Sequence, residues 1–133
     1  MSRNLAWIAL AAAVLAIYIF KEIWTGGGGS GPHDRVLMDF YMIRSGLQTY
    51  KTNAGHYPST EQGLEALVKR PTSNPQPKQW KKLTDSVPLD PWGHPYRYRY
   101  LPGNEPEEFE IICSGKDGQF GTEDDRSSLK ELR

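Results

Sequence analysis

The chain has 133 residues, which is enough for one domain of ordinary size but not for two. Sixteen Lys and Arg residues balance sixteen Asp and Glu residues. The zero net charge argues against a nucleic-acid-binding protein, which usually carries a basic excess. The single cysteine excludes an internal disulfide and the usual multi-cysteine zinc sites. For Cys113 we therefore favour the role of a small apolar group in a strand over that of a reactive thiol.

The first 24 residues are nearly all apolar and differ sharply from the rest of the chain. Residues 5–20 are sixteen consecutive uncharged residues. On a helix, Trp7 and Trp24 would lie about 25 Å apart, close to the hydrocarbon thickness of a bilayer and suited to its two interfaces. We therefore predict a single-pass transmembrane signal anchor at residues 1–24.

Two other interpretations of this segment are weaker. A cleaved signal peptide needs a small-residue site after the apolar run, and the sequence there offers none. A buried core helix would need a larger domain around it than the remaining chain can form. Because Arg3 precedes the apolar run, the positive-inside rule predicts a cytoplasmic N-terminus and a domain outside the membrane.

A glycine-rich stretch separates the anchor from the rest of the chain. Residues 25–32 contain five glycines, one serine and one proline, a composition typical of a flexible linker, whether native or engineered. We expect residues 33–133 to form a separate soluble domain.

A long amphipathic helix is predicted to open that domain. Asp34 is a candidate N-cap, and Gly55 is suited to a left-handed C-cap. Between them, apolar residues recur in steps of four and three, the pattern of a helix face that is buried in a core. These residues are Val36, Phe40, Ile43, Leu47 and Tyr50.

A second, short helix and a proline-rich loop follow. Ser59 and Gln62 have the spacing of a capping box, and the apolar residues at 64, 67 and 68 supply the buried side. Residues 71–91 contain five prolines and Trp80. We predict an irregular loop that the indole pins to the core.

Two strands are predicted next. Residues 96–100 alternate tyrosine and arginine, which places the tyrosines on one face of a strand and the arginines on the other. Such interleaving could bind single-stranded nucleic acid, but the neutral charge favours an amphipathic strand with its tyrosines inward. Residues 109–113 form the second strand of an antiparallel hairpin against the long helix.

The acidic C-terminal loop is the segment with the most distinctive chemistry. Residues 105–125 contain eight acidic residues and one basic residue. Within residues 114–125, glycines allow carbonyls to turn inward, and Asp117, Asp124 and Asp125 supply anionic oxygens. Calcium prefers six to eight such hard oxygens. The spacing does not match an EF-hand, so a solvated acidic loop remains the alternative from composition alone.

Motifs for catalysis are missing from the sequence. The three histidines are scattered, and we find no metalloprotease, nucleophile-elbow, P-loop or dinucleotide motif. A domain of this size also has little room for a glycosidase cleft. We therefore expect a protein that is not an enzyme.

Three segments together resemble a known family. Residues 47–68, residues 90–96 (Asp-Pro-Trp-Gly-His-Pro-Tyr) and residues 114–118 (Ser-Gly-Lys-Asp-Gly) are similar to signatures of the major pseudopilins of type II secretion systems. They occur in the order of the family and cover roughly residues 35–126. One such segment would be weak evidence, whereas three in order are specific.

The resemblance implies an α+β domain in which a long N-terminal helix packs on a small antiparallel sheet, with a calcium-type loop near the C-terminus. It implies a domain in the periplasm, attached to the bacterial inner membrane, which it would contact through residues 5–24. The implied partners are other pseudopilins, inner-membrane secretion components and other copies of the chain in a homo-oligomer, but not nucleic acid.

The family's calcium loop falls on the acidic loop of this chain. By that match Asp117, Asp124 and Asp125 would be side-chain ligands of a structural calcium ion. The carbonyls of Ser114 and Gln119 would complete the shell. The ion would hold the C-terminal loop against the sheet, so that neighbouring subunits can pack.

The front of the chain departs from the family pattern. Pseudopilins begin with a short basic leader, a glycine cleavage site and an apolar helix with an early glutamate, followed without interruption by the soluble helix. Here the apolar segment has no glutamate before Glu22, and the glycine-rich stretch interrupts the rod. The resemblance therefore does not carry prepilin-peptidase cleavage, N-methylation or ordinary filament assembly over to this chain.

Two functions of different classes follow. The first is a structural pseudopilin-type subunit, or accessory component, of a machine that exports folded proteins across the outer membrane. The second is a membrane-tethered binding module that keeps the fold without polymerising. It would offer its acidic loop and the basic residues 69–82 to an envelope partner, although a solvated face is the simpler interpretation of those basic residues. We favour the first function.

Overall fold

The computed structural model describes residues 31–132. In chain order the elements are helix α1 (Pro32–Ala54), a 3-10 helix (Leu64–Leu67), strands β1 (Arg97–Tyr100), β2 (Phe109–Cys113) and β3 (Arg126–Ser127), and helix α2 (Ser128–Glu131). The anchor predicted at residues 1–24 and most of the linker predicted at residues 25–32 lie outside the described residues. Within residues 31–132, no helix has the length and apolar character needed to span a bilayer.

Helix α1 buries the predicted apolar stripe. All five of its residues are 3% exposed or less, and Ala54 and the acidic Asp39 are buried with them. The helix ends as predicted, because Gly55 adopts a φ of +88° and donates its N–H to the Lys51 carbonyl at 2.8 Å.

The predicted start of α1 was wrong by three residues. The helix begins at Pro32 rather than after an Asp34 cap, because proline is well suited to the first helical position, where its missing N–H is not needed. Asp34 lies instead in the first turn, where a carboxylate interacts favourably with the positive end of the helix dipole.

The predicted capping box forms. Ser59 N–H donates to Gln62 Oε1 at 3.0 Å, and Gln62 N–H donates to Ser59 Oγ at 3.1 Å. The helix that follows is a 3-10 helix, in which side chains three residues apart share a face. Leu64 and Leu67 are therefore buried, whereas Val68, which was predicted to be buried, is only half-buried.

The long loop after this helix packs on the core through its tryptophan, as predicted. Trp80 Nε1–H donates to the Ala66 carbonyl at 2.8 Å, and the half-buried indole contacts the core. The backbone of Leu83 extends this attachment by donating to the Leu67 carbonyl at 2.9 Å. The loop is thus fixed along the 3-10 helix at two places.

The sheet has three antiparallel strands in the order β1-β2-β3. The predicted hairpin is confirmed, with Tyr98 opposite Ile111 and Tyr100 opposite Phe109, although β1 begins one residue later than predicted. The predicted face segregation is also confirmed, since Tyr96 and Tyr98 are buried while both arginines are exposed.

Strand β3 and helix α2 were not predicted. β3 has only two residues, too few for an alternating pattern to show. It pairs with the end of β2, where Ile112 lies opposite Ser127. Ser127 then caps α2 by accepting the Leu129 N–H at 3.3 Å, and a serine at this position is the one local signal that the sequence held.

A buried carboxylate links α1 to the sheet. Asp39 is 4% exposed, and its Oδ2 accepts a hydrogen bond from the Tyr96 hydroxyl at 2.7 Å. Arg35 Nε–H, one turn earlier on the helix, donates to both carboxylate oxygens at 3.1 Å. Burial, followed by the hydrogen bond to Asp39, raises the pKa of Tyr96 well above its usual range, so this hydroxyl keeps its proton and remains a donor.

Replacing Tyr96 with phenylalanine should destabilise the domain. The substitution keeps the ring but removes the hydroxyl, the closer of the two donors to the buried Asp39 Oδ2. We expect a loss of about 1–3 kcal/mol in the free energy of unfolding, measured by denaturant titration. Tyr41→Phe is the matched control, because Tyr41 is 54% exposed. Equal unfolding midpoints for the two variants would contradict a stabilising role for the Tyr96–Asp39 bond.

Candidate metal-binding loop

The candidate site is the loop of residues 114–125, which connects β2 to β3. Gly115, Gly118 and Gly121 in this loop adopt φ values of +66°, +70° and +96°, a region that residues with side chains rarely enter. These three positions reverse the chain repeatedly, so that the loop folds back on itself within twelve residues.

Two of the predicted ligands, Asp117 and Asp124, share one network of hydrogen bonds. Asp124 Oδ1 accepts the Thr122 hydroxyl at 2.7 Å, and Asp124 Oδ2 accepts the Asp117 N–H at 3.2 Å. The Asp117 carboxylate in turn accepts the Gln119 N–H at 2.8 Å. The hydrogen bond from the Thr122 hydroxyl, followed by that from the Asp117 backbone, lowers the pKa of Asp124, which is therefore anionic at neutral pH.

Asp125 differs from the other two aspartates because one of its oxygens has no donor. Its Oδ2 accepts the Gly121 N–H at 2.6 Å, whereas its Oδ1 is buried without a hydrogen-bond partner. Ser114 is fully buried, and its hydroxyl also lacks a partner. Two oxygen atoms of the loop are thus withdrawn from water without compensation from the protein.

The predicted ligands share one loop without forming one cluster of side chains. In the part of the chain that the structure describes, no three His, Cys, Asp or Glu side chains are placed so that they could hold a metal ion. Each aspartate instead accepts hydrogen bonds from nearby backbone groups. The Gln119 carbonyl, a predicted backbone ligand, accepts the Thr122 hydroxyl at 3.0 Å. The calcium set of Asp117, Asp124, Asp125, Ser114 and Gln119 remains a prediction.

A buried aspartate that the sequence did not identify braces the loop. Asp90 is 5% exposed, and its Oδ1 accepts the N–H groups of Trp92 and His94 at 2.9 and 2.8 Å. His94 Nδ1 lies 3.1 Å from the Gly115 carbonyl oxygen, so the turn that Asp90 organises touches the start of the loop. The Asp-Pro-Trp-Gly sequence signals the turn, but nothing in it signals that the carboxylate is buried.

Cys113 lies at the end of β2, beside this turn. Its thiol is fully buried and donates to Asp90 Oδ2 at 3.4 Å. Burial raises the pKa of the thiol to about 11, so it is protonated at neutral pH. The prediction of a small apolar group in a strand is confirmed.

Contacts from the middle of the loop and from the residue that follows it attach the loop to the rest of the domain. The Arg97 guanidinium of β1 lies over the Phe120 ring, 3.6 Å from its centroid. Directly after the loop, Arg126 donates to the His33 carbonyl at 2.8 Å and pairs with Glu131, also at 2.8 Å. The loop is therefore connected to the sheet, to α2 and to the first turn of α1.

Comparisons with known proteins agree on one family. The sequence matches the family of type II secretion system (T2SS) protein G over residues 29–131. The chain belongs to this family. The type II secretion system core protein G of Pseudomonas aeruginosa is 45% identical over 93 residues, which are 68% of this chain and 64% of that protein. The core protein G of Escherichia coli K12 is 38% identical over 120 residues, covering 89% and 81% of the two chains.

A solved pseudopilin has the same fold. The crystal structure of the major pseudopilin from the type 2 secretion system of enterohaemorrhagic Escherichia coli matches with a TM-score of 0.69 and 31% identity. The match covers 80% of this chain and 93% of that one. The family resemblance found in three short segments is confirmed. The chain is therefore assigned to the structural pseudopilins of type II secretion rather than to a family of enzymes.

Adding a methyl group at Gly115 should disrupt the pseudopilin loop. A Cβ there would lie 2.6 Å from the Asp124 carbonyl oxygen and would also clash with its carboxylate. Gly121→Ala is the matched control, because its φ is also positive but nothing lies within 4 Å of the added atom. We expect Gly121→Ala to cost about 1–2 kcal/mol from backbone strain alone, and Gly115→Ala to cost clearly more, measured by thermal unfolding. Equal losses would show that Asp124 does not lie against Gly115.

Proposed function

We propose that residues 33–133 form the periplasmic domain of a structural subunit in a type II secretion machine. A single-pass anchor at residues 1–24 would hold this domain at the bacterial inner membrane, with the N-terminus in the cytoplasm. The subunit would contact other pseudopilins and inner-membrane secretion components. Family membership and the apolar character of residues 5–20 support this arrangement.

A structural calcium ion in the loop of residues 114–125 is the second part of the proposal. The observation that carries it is the buried Oδ1 of Asp125, which has no donor. Taking a carboxylate oxygen out of water without a partner is unfavourable, and a cation supplies the missing interaction. The other oxygens that the loop offers are carboxylate, carbonyl and hydroxyl groups, which are the ligand types that calcium prefers.

The ligand types present suit such an ion, but the described side chains do not converge on one point, so binding would have to draw them together. The carboxylates of Asp117, Asp124 and Asp125 would hold it, together with the carbonyls of Ser114 and Gln119. A bound cation would offset the repulsion between the carboxylates and cross-link two ends of one loop. The chemistry it supplies is purely structural, since it couples metal binding to the ordering of the loop.

Calcium should stabilise the full chain in detergent, and the Asp125→Asn variant should lose this effect. The amide oxygen of asparagine can still accept the Gly121 N–H, so the metal-free variant keeps its fold while losing the anionic ligand. At a calcium concentration of 100 times Kd, binding contributes about 2.7 kcal/mol. For a domain of about 100 residues this raises Tm by roughly 10–20 °C at the usual 4–8 °C per kcal/mol.

Asp85→Asn is the control for the loss of a negative charge by itself, because it removes an exposed carboxylate from a different loop. This variant should respond to calcium like the wild type, and magnesium should not reproduce the response of either protein. A calcium response that survives Asp125→Asn would exclude Asp125 as a ligand. If no protein responds, the acidic loop is a solvated surface.

Protease protection tests the membrane arrangement. In spheroplasts, protease added outside should remove the domain of an N-terminally tagged chain and leave a short tagged fragment in the membrane. Chemical cross-linking before membrane extraction should also capture known pseudopilins of the same cell. A domain that is fully protected until the membrane is broken would contradict a periplasmic location. A cleaved domain that captures no pseudopilin would instead favour the membrane-tethered binding module.

A further inference from the structure

The large apolar side chains that the domain leaves exposed are gathered on one surface. Among residues 31–132, four of them are more than half exposed: Met38, Tyr41 and Met42 on α1, and Leu89 after the long loop. Residues three and four positions apart lie on one face of a helix, so the three α1 residues are neighbours. Single exposed apolar residues are ordinary, whereas a group of them marks a contact surface. We call these four residues the apolar patch.

An apolar groove of about 480 Å³ joins the two parts of the apolar patch. Met42 lines the groove from α1, and the segment from Leu83 to Pro88 lines it from the long loop. Leu89 follows that segment directly. Leu64 and Leu67 of the 3-10 helix line the groove as well. The patch and the groove therefore form one continuous apolar surface.

The charged side chains of α1 that follow the patch are already paired. Arg44 binds Glu107 at 2.8 Å, and Lys51 pairs with Glu108, so both are drawn towards the loop after β1. The exposed carboxylate of α1 is that of Asp34, which lies in the first turn, at one end of the patch. Covering the patch with an apolar medium would therefore not separate these ion pairs from their partners.

Basic residues lie beside the groove, and acidic residues are concentrated elsewhere. Residues 61–89 carry five basic and three acidic residues, whereas residues 101–133 carry four basic and nine acidic ones. An apolar surface with lysine and arginine next to it is typical of proteins that lie on an anionic lipid bilayer. Four exposed basic residues flank the segments that line the groove: Lys69, Arg70, Lys81 and Lys82.

We propose that the apolar patch docks on the lipid surface of the membrane that holds the chain, with the acidic loop of residues 114–125 turned towards water. This inference rests on the proposed anchor at residues 1–24, which keeps lipid beside the patch at all times. Methionine side chains are flexible and adapt to an irregular surface. Tyr41 has an apolar ring and a polar tip, which suit the boundary between acyl chains and headgroups.

The length of chain before α1 allows this contact. Eight residues lead from Trp24, the predicted interface residue, to Pro32, and when fully extended they span about 28 Å. Met38 and Met42 lie about 9 and 15 Å beyond Pro32 along the helix axis. The patch would thus reach the headgroups with α1 lying along the bilayer. Tethering also raises the effective concentration to about the millimolar range, so a contact that is too weak to hold a free domain is sufficient.

Fluorescence of the full chain in lipid vesicles tests the docking. A polarity-sensitive fluorophore is attached at Met42→Cys in the patch or, as the matched control, at Glu123→Cys, an exposed position in the acidic loop. Cys113 is fully buried, and the unsubstituted chain gives its background labelling. The vesicles contain phosphatidylcholine, phosphatidylglycerol and a spin-labelled lipid that quenches the fluorophore on contact. We expect a blue shift and quenching at position 42, and neither at position 123.

Removing part of the patch provides the second arm. Met38→Ser in the Met42→Cys chain should lower the ratio of docked to free domain about tenfold, because one buried methionine side chain is lost from the contact. Met38 is 67% exposed in the domain, so the fold does not depend on it. Gln79→Ser, at an exposed position outside the patch, should leave the ratio unchanged. Equal ratios for the two variants would contradict docking through the patch.

A third label, at Ala12→Cys within the predicted anchor, separates this inference from the proposed anchor. Quenching at position 12 without quenching at position 42 would overturn the docking and leave the anchor intact. If position 12 is not quenched, the anchor is wrong, and the docking that rests on it is wrong as well. A blue shift at position 42 without quenching by the lipid would show that protein covers the patch, which would also overturn the proposal.

Discussion

The burial of one face of α1 against an aromatic layer is the contact on which the other elements depend. Phe40 meets Tyr96 edge to face, with ring centroids 5.8 Å apart. Leu47 and Tyr50 carry the same layer towards the C-terminal end of the helix. Each large side chain that is fully buried contributes about 1.5–3 kcal/mol. Because the sheet has only three short strands, it depends for much of its stability on packing against this helix.

The buried carboxylates give this apolar layer a fixed orientation. Asp39 accepts hydrogen bonds from Arg35 and Tyr96, so it is satisfied only when the first half of α1 lies against the residue that precedes β1. Asp90 acts in the same way beside the sheet, where it holds the turn at Trp92 next to the end of β2. With an apolar stripe alone, α1 could shift along its axis relative to the sheet. Two buried carboxylates that need specific donors prevent such a shift.

The candidate calcium loop is linked by a hydrogen bond to the start of α1, where the chain enters the domain. Asp125, the proposed ligand with an unpartnered oxygen, is followed directly by Arg126. The Arg126 guanidinium donates to the His33 carbonyl in the first turn of α1. A more ordered loop would fix Arg126 more firmly, and Arg126 would fix the start of the helix. The loop and the first turn of α1 are thereby connected through one short path of hydrogen bonds.

Local patterns in the sequence predicted most of this fold. The stripe of α1, the capping box at Ser59 and the alternating strand at residues 97–100 depend on neighbours only a few positions away, and all three form. The burial of Asp39 and Asp90 and the pairing of β3 depend on partners 13 to 57 residues away, which no local pattern reports. In the candidate site the sequence located the loop, but the spacing of its aspartates did not reveal that nearby N–H groups would occupy their oxygens.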